Sequence, residues 1–174
     1  MARHATDRHE LIEPRTTHPN VARVRAAAER LGLDVEIRQF SSTTRTAVDA
    51  AREIGCELGQ IVKSLVFLAD GDAVLALCAG TDRIDEAKLR TLVGATTVRR
   101  ATAGEARDVT GYPIGGVPPF GLSRPLRVLI DRGLLRHDAL WAGAGTGETV
   151  IRVWSRDLAR ASAGTIVDLA ASNA

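Results

Sequence analysis

The chain has 174 residues and a mass of 18.5 kDa, which suits one compact domain. Hydrophobic residues make up 45% and aromatics only 3%, so the core has to be built from Ala, Val, Leu and Ile, and a formal net charge of +2 with a pI near 8.8 permits a nucleic-acid partner without demanding one. No apolar run approaches the ~20 residues of a membrane span, the first residues lack the apolar core of a signal peptide, and two cysteines make no disulfide framework, so a cytoplasmic protein with free thiols is expected.

Residues 1–18 are polar and hold His4, His9 and His18 among arginines and acids at no ligand-like spacing, which predicts a disordered tail ahead of a single domain over 19–174. A helix is expected from about 20 to 31, capped by Asn20, with Val21, Val24, Ala27, Ala28 and Leu31 on one face and Gly32 at its end. Val35, Ile37 and Gln39 alternate with Glu36, Arg38 and Phe40 as in a half-buried strand. After a loop at 41–45, Thr46 with Asp49 starts a second helix over 47–54 that Gly55 stops. Residues 60–68 read as a central strand with both faces apolar, and Asp70-Gly71 turns it into a returning strand over 73–79.

A third helix over 84–93, capped by Thr81 or Asp82, precedes a strand near 96–99. Thr102 with Glu105 forms a capping box for a short helix ending at Gly111. Strands follow at 126–130, 139–142 and 149–154, then a brief helix capped by Ser155 and a last strand at 165–169. Short helices among hairpin-linked strands predict a mixed α/β fold (α+β), with a mainly antiparallel sheet or open barrel at its centre.

Two features carry chemistry. The stretch 111–121 packs four glycines and three prolines around Tyr112, Ile114, Val117 and Phe120, a density that neither a helix nor a central strand tolerates. It is either an inert rigid connection or a shaped loop that brings bare backbone to a ligand. Lys63 and Lys88 are the only lysines among 23 basic residues. Lys88 reads as an exposed helix residue, whereas Lys63 shares a strand face with Ile61, Leu65 and Phe67. It must snorkel, pair, or face a polar cavity in which it holds a carbonyl or phosphate oxygen.

Other catalytic sets are missing. There is no G-x-S-x-G elbow, His137 sits alone in a polar turn, Cys78 reads as a small buried hydrophobe, and the glycine run at 143–147 precedes a strand rather than a helix. That run is a candidate second wall of a pocket. One lysine, two glycine-rich loops and backbone amides suit a site that positions an already activated electrophile for attack by water.

Four motifs in order, Ile61-Val-Lys-Ser-Leu-Val-Phe67, Gly80-Thr-Asp-Arg-Ile-Asp-Glu-Ala-Lys-Leu89, Thr110-Gly-Tyr-Pro-Ile-Gly-Gly-Val-Pro-Pro-Phe-Gly121 and Trp141-Ala-Gly-Ala-Gly145, resemble the YbaK/EbsC family, freestanding relatives of the editing domain inserted in bacterial prolyl-tRNA synthetase. The likeness covers roughly residues 20 to 170. It implies a YbaK-like fold and a hydrolase for translation fidelity that deacylates mischarged aminoacyl-tRNA in trans. Lys63 matches the family's strand lysine, and Gly115, Gly116, Val117, Pro118 and Pro119 match its G-x-x-x-P loop, whose backbone holds the aminoacyl carbonyl.

By that resemblance Lys63, Gly115 and Gly116 are the catalytic candidates. Tyr112, Val117, Pro118, Pro119, Phe120, Gly143 and Gly145 are the substrate-binding ones. The partner implied is the acceptor end of an aminoacyl-tRNA, with a synthetase as a further candidate, and no cofactor, metal or membrane is called for. The alternative is a module that binds tRNA through arginines such as Arg99, Arg100 and Arg124 without turnover, or an esterase for small activated acyl compounds.

Overall fold

The computed structural model describes residues 18–40 and 46–172, so the expected tail (His18 apart) and the loop at 41–45 lie outside the described residues. Five helices are described: α1 (Pro19–Arg30), α2 (Ala47–Ile54), α3 (Glu86–Val93), α4 (Ala103–Thr110) and α5 (Ser155–Ser162). The strands are β1 (Glu36–Gln39), β2 (Val62–Ala69), β3 (Asp72–Ala79), β4 (Val98–Arg100), β5 (Arg127–Asp131), β6 (Ala139–Gly143), β7 (Thr149–Trp154) and β8 (Thr165–Val167). They form two sheets rather than one, a five-stranded sheet in the order β4-β2-β3-β5-β8 and a three-stranded sheet in the order β1-β7-β6. The β3–β5 and β5–β8 pairs are parallel and the rest antiparallel, which is the mixed, largely antiparallel α/β class expected.

β2 is where the sheets meet. It pairs along its whole length with β3, but β4 covers only Phe67–Ala69 on its other edge. The earlier part of that edge runs beside β6, joined by a parallel bridge between Ile61 and Trp141. Both faces of β2 are buried. Val62 and Val66 enter the main core with α1 and β7, and Phe67 enters a second core with Leu89 of α3. A third cluster of Phe40, Ala50, Ala51, Ile61, Trp141 and Val150 lies beneath α2.

Local signals set most helix ends. Thr46 accepts from the Asp49 amide at 3.1 Å, the Thr102–Glu105 capping box is formed at both contacts, and Gly55 and Gly111 close their helices at φ +77° and +82°. Three caps differ from expectation. Pro19 occupies the first turn of α1, because its missing N–H costs nothing there, so His18 caps the helix through Nδ1 and Asn20 instead donates to the Gly145 carbonyl at 3.0 Å. Asp85, not Thr81 or Asp82, caps α3, since Ile84 is held in a bridge to Ala170. Ser155 is the first residue of α5 rather than its cap, its amide donating to the Asp138 carbonyl. The strand expected from residue 60 begins at Val62, because Gln60 folds back to accept from the Glu57 amide and donates to the Ala139 carbonyl.

One carboxylate anchors the end of the described chain alongside the Ile84–Ala170 bridge. Asp131, 3% exposed, accepts from the Leu169 and Ala170 amides through Oδ1 and from the Gly133 amide through Oδ2, each at 2.8 Å. Asp131→Ala would strand those donors, so we expect a loss of about 3 kcal/mol in urea unfolding, with Asp131→Asn falling between because it keeps one acceptor oxygen. A loss below about 1 kcal/mol for the alanine variant would show that the carboxylate does not hold this segment.

Candidate functional site

A cavity of about 260 Å³ opens at the seam between the sheets. Residues 61–65 of the β2 edge form one wall, and Trp141, Ala142, Gly143, Thr149 and Val150 of β6 and β7 form the second. The first turns of α2 contribute Thr46, Ala47 and Ala50, and the Gly/Pro loop contributes Ile114, Gly115 and Val117. The seam exists because β4 is too short to cover this part of β2.

The loop is held at both ends. The Tyr112 hydroxyl donates to the Gly121 carbonyl at 2.8 Å, and Arg23 lies 4.5 Å over the tyrosine ring while donating to the Gly111 carbonyl. Burial pushes the phenol pKa up, which keeps it a donor. Inside the loop the Gly116 amide donates to the Pro113 carbonyl at 2.9 Å, a turn whose third residue, Gly115, has φ +86°. The loop then lies directly on the other glycine-rich segment. A Cβ on Gly116 would come 2.8 Å from the Gly145 carbonyl carbon, and one on Gly143 would come 2.9 Å from the Val117 oxygen. The Gly145 amide donates to the Gly116 carbonyl at 2.8 Å, locking the contact.

This packing decides which amides remain available. Gly116 uses its own within the turn, whereas the amides of Gly115 and Val117, both cavity-lining residues, have no hydrogen-bond partner among the described residues. Gly115 is exposed at the mouth and Val117 is buried.

Lys63 lines the cavity from β2. Its cross-strand neighbour is Cys78, and its ammonium donates to the Asp82 carbonyl just beyond β3. It has no ion pair among the described residues, so of its three N–H donors two are unused. Burial pushes the Cys78 thiol up to about 11, with the charge of Lys63 opposing that rise, so the sulfur stays protonated. Ser64 points to the opposite side of the strand from Lys63, and its Oγ is buried with no hydrogen-bond partner. His137 lies elsewhere, 3.7 Å from Glu57 at a separate cavity.

Of the residues singled out in the sequence, Lys63, Gly115, Val117 and Gly143 come together around the cavity. Tyr112 and Phe120 are core residues, 0% and 3% exposed, and Pro118 and Pro119 are buried supports, so none of the four is a cavity wall. Gly116 and Gly145 serve the contact between the loops. Trp141 opens one of the four motifs and α2 was expected as a helix, but their places on the cavity, like that of Val150, had no local signal because they depend on how the sheets meet. Ser64 did leave a trace, as the single hydroxyl in an otherwise apolar strand beside Lys63. Lys88, expected in solvent, is pinned to Asp168 and the Ala170 carbonyl.

Comparison with known proteins gives a consistent picture. The family model described as the aminoacyl-tRNA editing domain matches residues 41–161. An uncharacterized Bacillus subtilis protein, YwhH, is 34% identical over 128 residues, 73% of this chain and 81% of that protein. The proline–tRNA ligase of Maridesulfovibrio salexigens is 35% identical over 107 residues, 62% of this chain but only 18% of the ligase. The crystal structure of a candidate trans-editing enzyme for prolyl tRNA synthetase matches with a TM-score of 0.85 at 38% identity, covering 90% of this chain and 100% of that one.

Two outcomes test the geometry. Gly143→Ala is expected to push the loop off β6, because the atoms it meets are backbone and have no rotamer to change; a thermal melt lowered by several degrees, about 1–3 kcal/mol, is the readout. In the native protein a thiol reagent at pH 8 should modify half-buried Cys56 first and spare Cys78 until denaturant is added. Equal early labelling of both would contradict the burial of Cys78.

Proposed function

The chain belongs to the aminoacyl-tRNA editing domain family, and from that premise we propose that it hydrolyses the ester of a mischarged aminoacyl-tRNA in the cavity at the sheet seam. The observation that carries this is the pair of unpartnered amides, Gly115 and Val117, on a cavity whose lining residues all fall within the stretch 41–161 matched by the family. Supporting it, the amides lie on a rigid loop, and preorganised donors stabilise a developing oxyanion without having to reorganise during the reaction.

In this mechanism the ester carbonyl oxygen accepts from Gly115 and Val117 as water adds to the carbonyl carbon. Each such donor is worth about 3 kcal/mol of transition-state stabilisation. Lys63 supplies positive charge from the β2 wall, its two unused N–H groups available to the ester end or the terminal phosphate of the tRNA. Among the described residues no histidine or carboxylate lines the cavity, so none of the described side chains there is a strong general base. An aminoacyl ester is activated enough that orientation and oxyanion stabilisation, with help from the substrate's terminal ribose hydroxyl, carry the reaction. Pro118 and Pro119 hold the loop's shape.

The lack of a base also favours a second reading, a module that holds the acceptor end without turnover. Among the arginines it would use, Arg99 is paired with Glu105 and Arg100 lies 5.5 Å from the centre of the Phe67 ring. No described helix is long and apolar enough to cross a membrane.

The test is a deacylation assay on tRNAs charged with proline, alanine, cysteine, serine and threonine, beginning with the tRNA that prolyl-tRNA synthetase charges. Release of amino acid from at least one is expected, and Lys63→Ala should lower kcat/KM by about 100-fold with an unchanged melt. Full activity in that variant would remove Lys63 from the mechanism. Salt-dependent tRNA binding with no hydrolysis of any member would favour the binding module.

A further inference from the structure

Among the hydroxyls lining the cavity, Ser64 stands apart. Thr46 Oγ1 accepts from the Asp49 amide, and Thr149 Oγ1 is 2.9 Å from Thr146 Oγ1. Ser64 Oγ is buried and has no hydrogen-bond partner among the described residues, although it can donate once and accept twice. Its surroundings are apolar, with Val62 and Val66 on the same strand face and Leu77 directly across on β3. A hydroxyl left unpaired in such a place is destabilising, and an alanine would fill it at no such penalty.

Its depth says what it meets. Ile114, 57% exposed, and the exposed Gly115 mark the mouth, through which a tRNA has to enter. The ester then lies at the Gly115 and Val117 amides, and the part of the substrate that reaches past it toward a buried atom is the amino acid itself. Ile61, Val62 and Trp141 wall the cavity, and its volume of about 260 Å³ has to be shared between the ester and the amino acid, which favours a small side chain.

We propose that Ser64 Oγ is the specificity-determining contact for the edited amino acid, and that the preferred substrate carries a small hydroxyl-bearing side chain rather than a bare methyl. This inference rests on the deacylase reading. A side-chain hydroxyl pairs with Ser64, whereas a methyl group covers it and leaves it unpaired and cut off from water. Sites furnished with a buried hydrogen-bonding group reject the analogue that lacks the partner far more strongly than apolar pockets reject an extra methylene.

The experiment compares one tRNA charged with serine, threonine or alanine, using wild type and Ser64→Ala with equal thermal melts. For wild type, kcat/KM on the better of the two hydroxyl substrates should exceed that on alanine by about 100-fold, and Ser64→Ala should remove most of that preference while changing the alanine value by less than about 3-fold. Turnover with alanine preferred, or an equal loss on all three in the variant, would overturn the inference alone, the latter showing that the hydroxyl holds the ammonium or the ester. No turnover of any charged tRNA by wild type would instead fail the deacylase reading and this inference with it.

Discussion

The contact on which the site depends is backbone against backbone. Gly116 rests on Gly145 and Thr146, and Gly143 rests on Val117, at separations that no Cβ could share. That approach lets the Gly/Pro loop reach the end of β6 and close one side of the seam. It also consumes the amide of Gly116 in the supporting turn and the carbonyl of Gly116 in the bond to Gly145, leaving Gly115 and Val117 as the unpaired donors. A buried amide is seldom left unpaired, which sets Val117 apart, while the amide of Gly115 is open to solvent at the mouth.

β2 contributes the other half of the site through its pleat. Lys63 and Ser64 are neighbours in sequence but project to opposite faces, one toward Cys78 and Asp82, the other toward the apolar side of the main core. The full-length pairing with β3 sets this register, and a slip of one residue would exchange the two side chains. A single strand thus presents a cation and an unpaired hydroxyl on different sides of one edge.

The relatives differ in how much surrounds this unit. In the proline–tRNA ligase the matched region is 18% of the protein, whereas the matched crystal structure is covered completely by this chain. The cavity, both glycine-rich segments and α2 all lie inside 41–161. α1 lies outside that stretch yet supports it, through Asn20 on Gly145 and Arg23 on Tyr112 and Gly111.

Local chemistry was legible in the sequence wherever it acts over a few residues. The α2 cap at Thr46, the capping box at Thr102, the Asp70-Gly71 hairpin and the span of β7 follow from hydrogen-bonding and steric preferences of adjacent residues. The density of glycine and proline at 111–121 and the isolated lysine at 63 marked the two segments that meet at the cavity. What adjacent residues could not decide was everything set by non-local pairing. Two sheets formed instead of one because β4 covers only the end of β2. Tyr112 and Phe120 went to the core because α1 packs over them, and Trp141 became a cavity wall because β6 runs beside the uncovered edge. The sequence by itself determined which residues carry donors and charge; the tertiary structure decided which of those donors remain unused, since a hydrogen bond between residues far apart in the chain leaves no local trace.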